Sequence, residues 1–213
     1  MAFIDLMRQV LNTDDHNSIS VRQAVELRDR LTEDPNDTAA FDELAVLIRQ
    51  AHDMHQMADP LIGQSSQGDG VRMDLVLWAL GEEIGADPRA WYPLIQLARL
   101  CEDTDVDMAQ RYCEMAADRE PTGIALTHGI RLLRELGHSN AAIQLGLGRW
   151  NPVEHSSAVA VELIDTALSA QRRHEAEHYV SLLADSGAPA QVIAELNRRI
   201  AAFGEENENG NLY

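Results

Sequence analysis

The sequence contains no lysine, and arginine supplies all 17 of its basic residues. Against these stand 35 acidic residues, which give a formal net charge of -18 over 213 residues. A chain this acidic repels the phosphates of a nucleic-acid backbone, so its charge argues against nucleic acid as the main partner. We attribute the absence of lysine to GC-rich coding rather than to function.

Long apolar runs are also missing. No run approaches the roughly 18 residues that a membrane-spanning helix requires. The N-terminal residues lack the basic start and the apolar stretch of a signal peptide. We therefore expect a soluble, cytoplasmic chain that has no membrane partner.

Cysteine is scarce, with only Cys101 and Cys113 present. Both fall at inward-facing positions on opposite helices of one predicted hairpin, which favours small, reduced core residues over a disulfide. A metal site would need more thiols or a nearby set of histidines. We therefore predict no cofactor.

The alternation typical of β-strands is absent, whereas apolar residues recur with the 3.6-residue period of helices. We therefore predict an all-α fold. A stretch rich in glycine and serine, residues 57–70, is predicted to be a loop inserted between two helices. The predicted helices cover residues 2–12, 21–33, 38–55, 71–85, 89–102, 106–118, 122–136, 139–149, 153–170, 172–185 and 189–203.

A helical unit recurs along the chain about every 33 to 34 residues. Its clearest marker is a small residue at equivalent places in three successive second helices, namely Ala109, Ala142 and Ala176. Such a period is typical of stacked helical hairpins, which bury one face and present another for binding. Earlier copies of the unit place apolar residues at matching offsets after Pro35 and Pro88: Phe41, Leu44, Ala45 and Ile48 in one, and Leu94, Leu97, Ala98 and Cys101 in the other.

These residues resemble tetratricopeptide repeats. The best match runs from Asp107 to Ala116, Asp-Met-Ala-Gln-Arg-Tyr-Cys-Glu-Met-Ala, and is followed by Glu120-Pro121. The resemblance covers residues 20–186 and implies a right-handed α-solenoid of stacked helical hairpins, in a repeat domain of residues 20–203. Residues 1–19 would form an N-terminal helix and a polar break, 189–203 a C-terminal capping helix, and 204–213 a disordered acidic tail.

The resemblance further implies a concave groove lined by the first helix of each hairpin. Because guanidinium groups hold carboxylates in a bidentate fork, we expect a non-enzymatic adaptor that binds an acidic peptide or protein segment. The alternative is that the arginines pair with the chain's own acids, such as Asp42, Glu102 and Glu135. The groove-facing positions carried over onto this sequence are Arg49, Tyr92, Ile95, Arg99, Thr127, Arg131 and Arg134.

One motif supports an enzymatic alternative. His174, Glu175 and His178 have the H-E-x-x-H spacing of metalloproteases, in which two histidines bind zinc and the glutamate activates a metal-bound water. Charged neighbours surround the motif, and Glu195 is the only nearby candidate for a third ligand. We therefore expect a solvated helix face rather than a zinc hydrolase. A third possibility is a structural subunit that self-associates through its end hairpins.

Overall fold

A computed structural model describes residues 19–58, 73–101 and 105–210. All regular secondary structure in these ranges is helical, which confirms the predicted all-α class. None of the described helices is long and apolar enough to cross a membrane. The described ranges contain ten helices, numbered here in chain order: α1 (Ile19–Glu33), α2 (Thr38–Ala58), α3 (Met73–Gly85), α4 (Tyr92–Leu100), α5 (Val106–Arg119), α6 (Ile124–Glu135), α7 (Ser139–Arg149), α8 (Ser157–Ser169), α9 (Arg173–Asp185) and α10 (Ala190–Gly210).

Most helix bounds lie within a few residues of the predicted ones, and those of α7 agree at both ends. The largest difference is at the C-terminus, where α10 continues to Gly210 instead of ending near residue 203. The structure thus describes a helix at 204–210, where the sequence predicted disorder, since glutamate favours helices and no proline interrupts the run. The predicted helix at 2–12, residues 59–70 of the predicted loop, and residues 211–213 lie outside the described ranges.

The first of two compact units ends at Leu100 and contains α1 to α4, each packed against the next. Large apolar side chains such as Phe41, Ile48 and Leu80 form its core. The Asn36 side chain joins the turn after α1 to the start of α4. Its Nδ2 donates to the Arg89 carbonyl at 2.9 Å, and its Oδ1 accepts from the Trp91 amide at 2.8 Å.

The second compact unit begins at Cys101 and contains α5 to α10. Each of these helices packs against the next, and three further pairs skip one helix: α5 with α7, α6 with α8, and α8 with α10. The small residues Ala109, Ala142 and Ala176 are all buried, as predicted. α7 approaches α8 closely at Gly146, where an added Cβ would lie 2.4 Å from Leu163 Cδ2.

Three helices of this unit end in the same backbone turn. After α6, the His138 amide donates to the Leu133 carbonyl at 2.8 Å, and the Gly137 amide donates to the Arg134 carbonyl at 2.9 Å. This pair of bonds is the Schellman turn, whose central residue adopts a positive φ. The central residues after α6, α8 and α9 are Gly137, Gln171 and Gly187, with φ of 83°, 61° and 85°.

Candidate functional site

Four of the seven predicted groove residues lie in the first unit, and only two of them are exposed. Arg49 and Arg99 are exposed, whereas Tyr92 is buried and Ile95 is only 2% exposed. The short helix α4 is buried on most sides, so its buried residues are not confined to one face. This burial corrects the predicted placement of Ile95, because its side chain belongs to the core and offers no surface to a ligand.

Tyr92 has a structural environment rather than a groove-facing one. Its hydroxyl donates to Asp42 Oδ1 at 2.8 Å, and its ring packs edge-on against Phe41 with centroids 5.7 Å apart. Burial and the neighbouring Asp42 raise the pKa of Tyr92 to about 12. The side chain therefore stays protonated and fixes α4 against α2.

Thr127, in the second unit, is also buried. Its hydroxyl donates to the carbonyl of Gly123, the N-cap residue of α6, at 2.7 Å. A threonine that bonds to its own helix in this way satisfies its hydroxyl locally. Its predicted place on the groove surface is therefore corrected as well.

Arg131 and Arg134 converge on one carboxylate. Nε and Nη2 of Arg131 both donate to Glu162 Oε1, at 2.8 and 2.6 Å, and Nη2 of Arg134 donates to Glu162 Oε2 at 2.8 Å. Asp165, one turn further along α8, accepts from Arg199 Nη1 at 2.8 and 3.0 Å. We call these five residues the arginine ladder: Arg131 and Arg134 on α6, Glu162 and Asp165 on α8, and Arg199 on α10.

In the arginine ladder, Glu162 and Asp165 are less exposed than Arg131 and Arg199, while Arg134 is about as exposed as Asp165. The side chain of Glu162 is 6% exposed, whereas those of Arg131 and Arg199 are 47% and 42% exposed. Within the part of the chain that the structure describes, Nη1 of Arg131 and Nη2 of Arg199 make no hydrogen bond. The exposed guanidinium groups of the ladder therefore have N–H donors that are available for hydrogen bonds to solvent or a ligand.

Helix geometry explains why the ladder forms. Residues three apart share a helix face, so Arg131 and Arg134 point together, as do Glu162 and Asp165. The hydrogen bond to Glu162 is the main cause that raises the pKa of Arg131, and the bond to Asp165 does the same for Arg199. The opposite charges of the ladder thus stabilise one another across α6, α8 and α10.

The repeat pattern in the sequence does not indicate Glu162, Asp165 or Arg199 as site residues. One signal for Glu162 was present, because it is a lone acid within the apolar run Ala-Val-Ala-Val-Glu-Leu-Ile. A glutamate in such a run is rarely buried unless it is paired. The alternative that the arginines pair with internal acids holds for Arg131 and Arg134, with Glu162 as their principal acceptor rather than the acids expected.

Within the described residues, the histidine motif is not joined by a third side chain that could complete a metal site. The side chain of His174 is fully exposed, and its Nδ1 lies 3.3 Å from Glu177 Oε2. The Glu175 carboxylate accepts instead from the Tyr179 hydroxyl at 3.3 Å. Among the described residues, no group of three or more His, Cys, Asp or Glu side chains could hold a metal ion. The geometry of α9 therefore gives the zinc-hydrolase alternative no support.

No family model matches this chain, and no curated protein or solved structure matches it either. The chemistry of the described residues is therefore the basis for assigning a function.

Proposed function

We propose that this protein is a non-enzymatic interaction module that binds a carboxylate-rich peptide or protein segment across the arginine ladder. The observation that carries the proposal is the layering of charge. The carboxylates of Glu162 and Asp165 lie beneath, and the more exposed guanidinium groups of Arg131 and Arg199 have N–H donors that no described residue uses. A carboxylate of a partner would accept these hydrogen bonds in the fork geometry that guanidinium favours.

The helices fit a tetratricopeptide-like array as the scaffold for this surface. In the second unit, the N-cap residues of α5, α7 and α9 are Asp105, His138 and Arg172. Their spacing is roughly 33 to 34 residues, the length of one such hairpin. The packing of α6 on α8 and of α8 on α10 is the kind that stacked hairpins make. On this proposal α10 caps the array, and the ladder lies on the first helices of two hairpins, α6 and α8, and on the cap.

The proposed partner is a protein segment rather than a nucleic acid, since the net charge of -18 disfavours a phosphate backbone. The cytoplasm is the expected compartment. Both cysteines are buried and neither is in a disulfide, which suits a reducing environment.

Affinity capture from the native lysate, followed by mass spectrometry, tests the proposal. The bait is the full chain as wild type and as the double variant Arg131→Gln with Arg199→Gln, which removes the two most exposed guanidiniums of the ladder. We expect wild-type bait to retain partners with acidic stretches and the double variant to lose most of them. Circular dichroism establishes that both baits are folded.

A second double variant supplies the matched control. Among the residues whose side chains the structure describes, Arg173 pairs with Glu177 and Arg198 pairs with Glu195, each on its own helix. Changing both to glutamine therefore alters net charge by the same amount while sparing the ladder, and capture should be retained. Equal capture by the two double variants would refute the proposed surface. If the ladder variant unfolds, the double lysine variant at Arg131 and Arg199 keeps charge but removes the fork, and should weaken capture.

A further inference from the structure

An open groove of about 570 Å³ lies in the second unit, on side chains different from those of the arginine ladder. It runs across the first turns of α5 and α7 to the residues just before α9. Gln110 of α5, Asn140 and Gln144 of α7, and Arg172 are among the side chains that line it. The volume falls within the range of ligand sites, roughly 300–1,000 Å³.

Two carboxamides in the groove have their orientation fixed by charged neighbours. Arg172 donates to Asn140 Oδ1, and a guanidinium can only donate, so the NH₂ group of Asn140 must point away from it. Gln110 Nε2 donates to Glu114 Oε1 at 2.9 Å, and a carboxylate can only accept, so the oxygen of Gln110 must point away from Glu114. Asn140 thus keeps a donor for a ligand and Gln110 keeps an acceptor.

Gln144 adds a third carboxamide, one turn beyond Asn140. It is exposed, and within the described ranges its side chain makes no hydrogen bond. Its amide supplies both a donor and an acceptor. The groove therefore offers carboxamide donors and acceptors side by side along two neighbouring helices, and Asp107, His138 and Arg172 also belong to its lining.

From this pattern we infer that the groove binds an extended polypeptide segment through its main chain. A peptide main chain presents N–H donors and C=O acceptors in alternation, and a carboxamide is complementary to both. The lining contains no Phe, Tyr or Trp, and its largest apolar side chain is that of Val106. A large apolar ligand would therefore find little apolar surface there.

Backbone amide chemical shifts of the full-length protein provide the test. The probe is the capped hexapeptide acetyl-(Ala-Ser)₃-amide, titrated to millimolar concentration. We expect saturable shifts in the groove segments at 106–110 and 138–144. The matched probe acetyl-hexaproline-amide is extended but has no main-chain N–H within its residues. It should produce shifts that are several-fold smaller.

Asn140→Asp is the diagnostic variant, because it keeps the oxygen that accepts from Arg172 and removes the free donor. Loss of one hydrogen bond should weaken binding of the hexapeptide by about fivefold. Asn197→Asp makes the same change on the exposed surface of α10 and should leave binding within about twofold of wild type. Absence of saturable shifts, equal shifts with hexaproline, or equal weakening by the two variants would overturn the inference.

Discussion

Arg131 donates two hydrogen bonds to the same oxygen of Glu162, from Nε at 2.8 Å and from Nη2 at 2.6 Å. The contact joins α6 to α8 through two residues that are 31 positions apart in the sequence. Glu162 is nearly buried, whereas Arg131 remains about half exposed, so the arginine covers the carboxylate instead of being hidden with it. The pair therefore stabilises the packing of α6 on α8 and also leaves a guanidinium group at the surface.

The first prediction concerns the loss of this carboxylate. Glu162→Gln removes the negative charge beneath Arg131 and Arg134, leaving two neighbouring guanidiniums with only an amide between them. We expect the free energy of unfolding to fall by about 1–3 kcal/mol, less than for a fully buried pair because the arginines are partly in water. Urea denaturation monitored by circular dichroism measures the change.

The control for that prediction is Glu154→Gln, an exposed glutamate in the turn before α8. It makes the same chemical change without a buried partner and should alter stability by no more than about 0.5 kcal/mol. If the two variants are equally stable, the ladder contributes nothing to the fold.

The sequence predicted the helices well because helix formation depends on local features. The burial of Ala109, Ala142 and Ala176 followed from the same apolar period. The burial of Ile95 and Thr127 was not predicted. Both α4 and α6 are covered by neighbouring helices on more than one side, and the apolar period of a helix indicates only one buried face. Glu162 was missed for a related reason, because its partners depend on α6 lying beside α8.

The second prediction tests the close approach at Gly146. An added Cβ would lie 2.4 Å from Leu163 Cδ2 and 3.1 Å from Ile130 Cδ1, both in the core. Overpacking should outweigh the better helix propensity of alanine, so Gly146→Ala is expected to destabilise by about 1–2 kcal/mol. Gly148 lies in the same helix with nothing within 4 Å of an added Cβ. Gly148→Ala should therefore stabilise by about 0.5–1 kcal/mol.

The Gly146 and Gly148 variants are compared by their midpoints of thermal unfolding. Opposite shifts are expected from one chemical change in one helix. A shift of the same sign in both would mean that helix propensity, rather than contact with Leu163, governs this part of α7.

The third prediction concerns Gln171, which adopts a φ of 61° at a place where the turns after α6 and α9 have glycine. A residue with a Cβ is strained in that region, and glycine is not. Gln171→Gly should therefore stabilise by roughly 0.5–1 kcal/mol, after allowance for the greater freedom of glycine in the unfolded chain. Gly137→Ala should destabilise by about 1 kcal/mol. Destabilisation by Gln171→Gly in chemical denaturation would contradict this account of the turn.

The fourth prediction concerns the two thiols. Burial raises the pKa of Cys113 to about 12 and also raises that of Cys101. Because the thiolate is the reactive form, neither cysteine should react appreciably with iodoacetamide at neutral pH while the protein is folded. Mass spectrometry should find no label under native conditions and two labels in urea. Rapid labelling of the folded protein would show that this region opens readily.

The last prediction is a pH dependence at the start of α2. Asp37 Oδ1 accepts from the Ala40 amide at 2.9 Å, and Oδ2 accepts from Arg30 at 2.7 Å. These bonds, the one from Ala40 first, lower the pKa of Asp37. The ionised carboxylate therefore stabilises the fold above its unfolded pKa of about 3.9, and this contribution is lost as the pH falls through the lower folded value.

Asp37→Asn keeps a capping oxygen but removes the charge, so it should destabilise by roughly 0.5–1 kcal/mol at pH 7. Urea denaturation at a series of pH values should show the wild-type advantage shrinking below about pH 4, and an advantage that stays constant to pH 3 would contradict the assigned role of the charge.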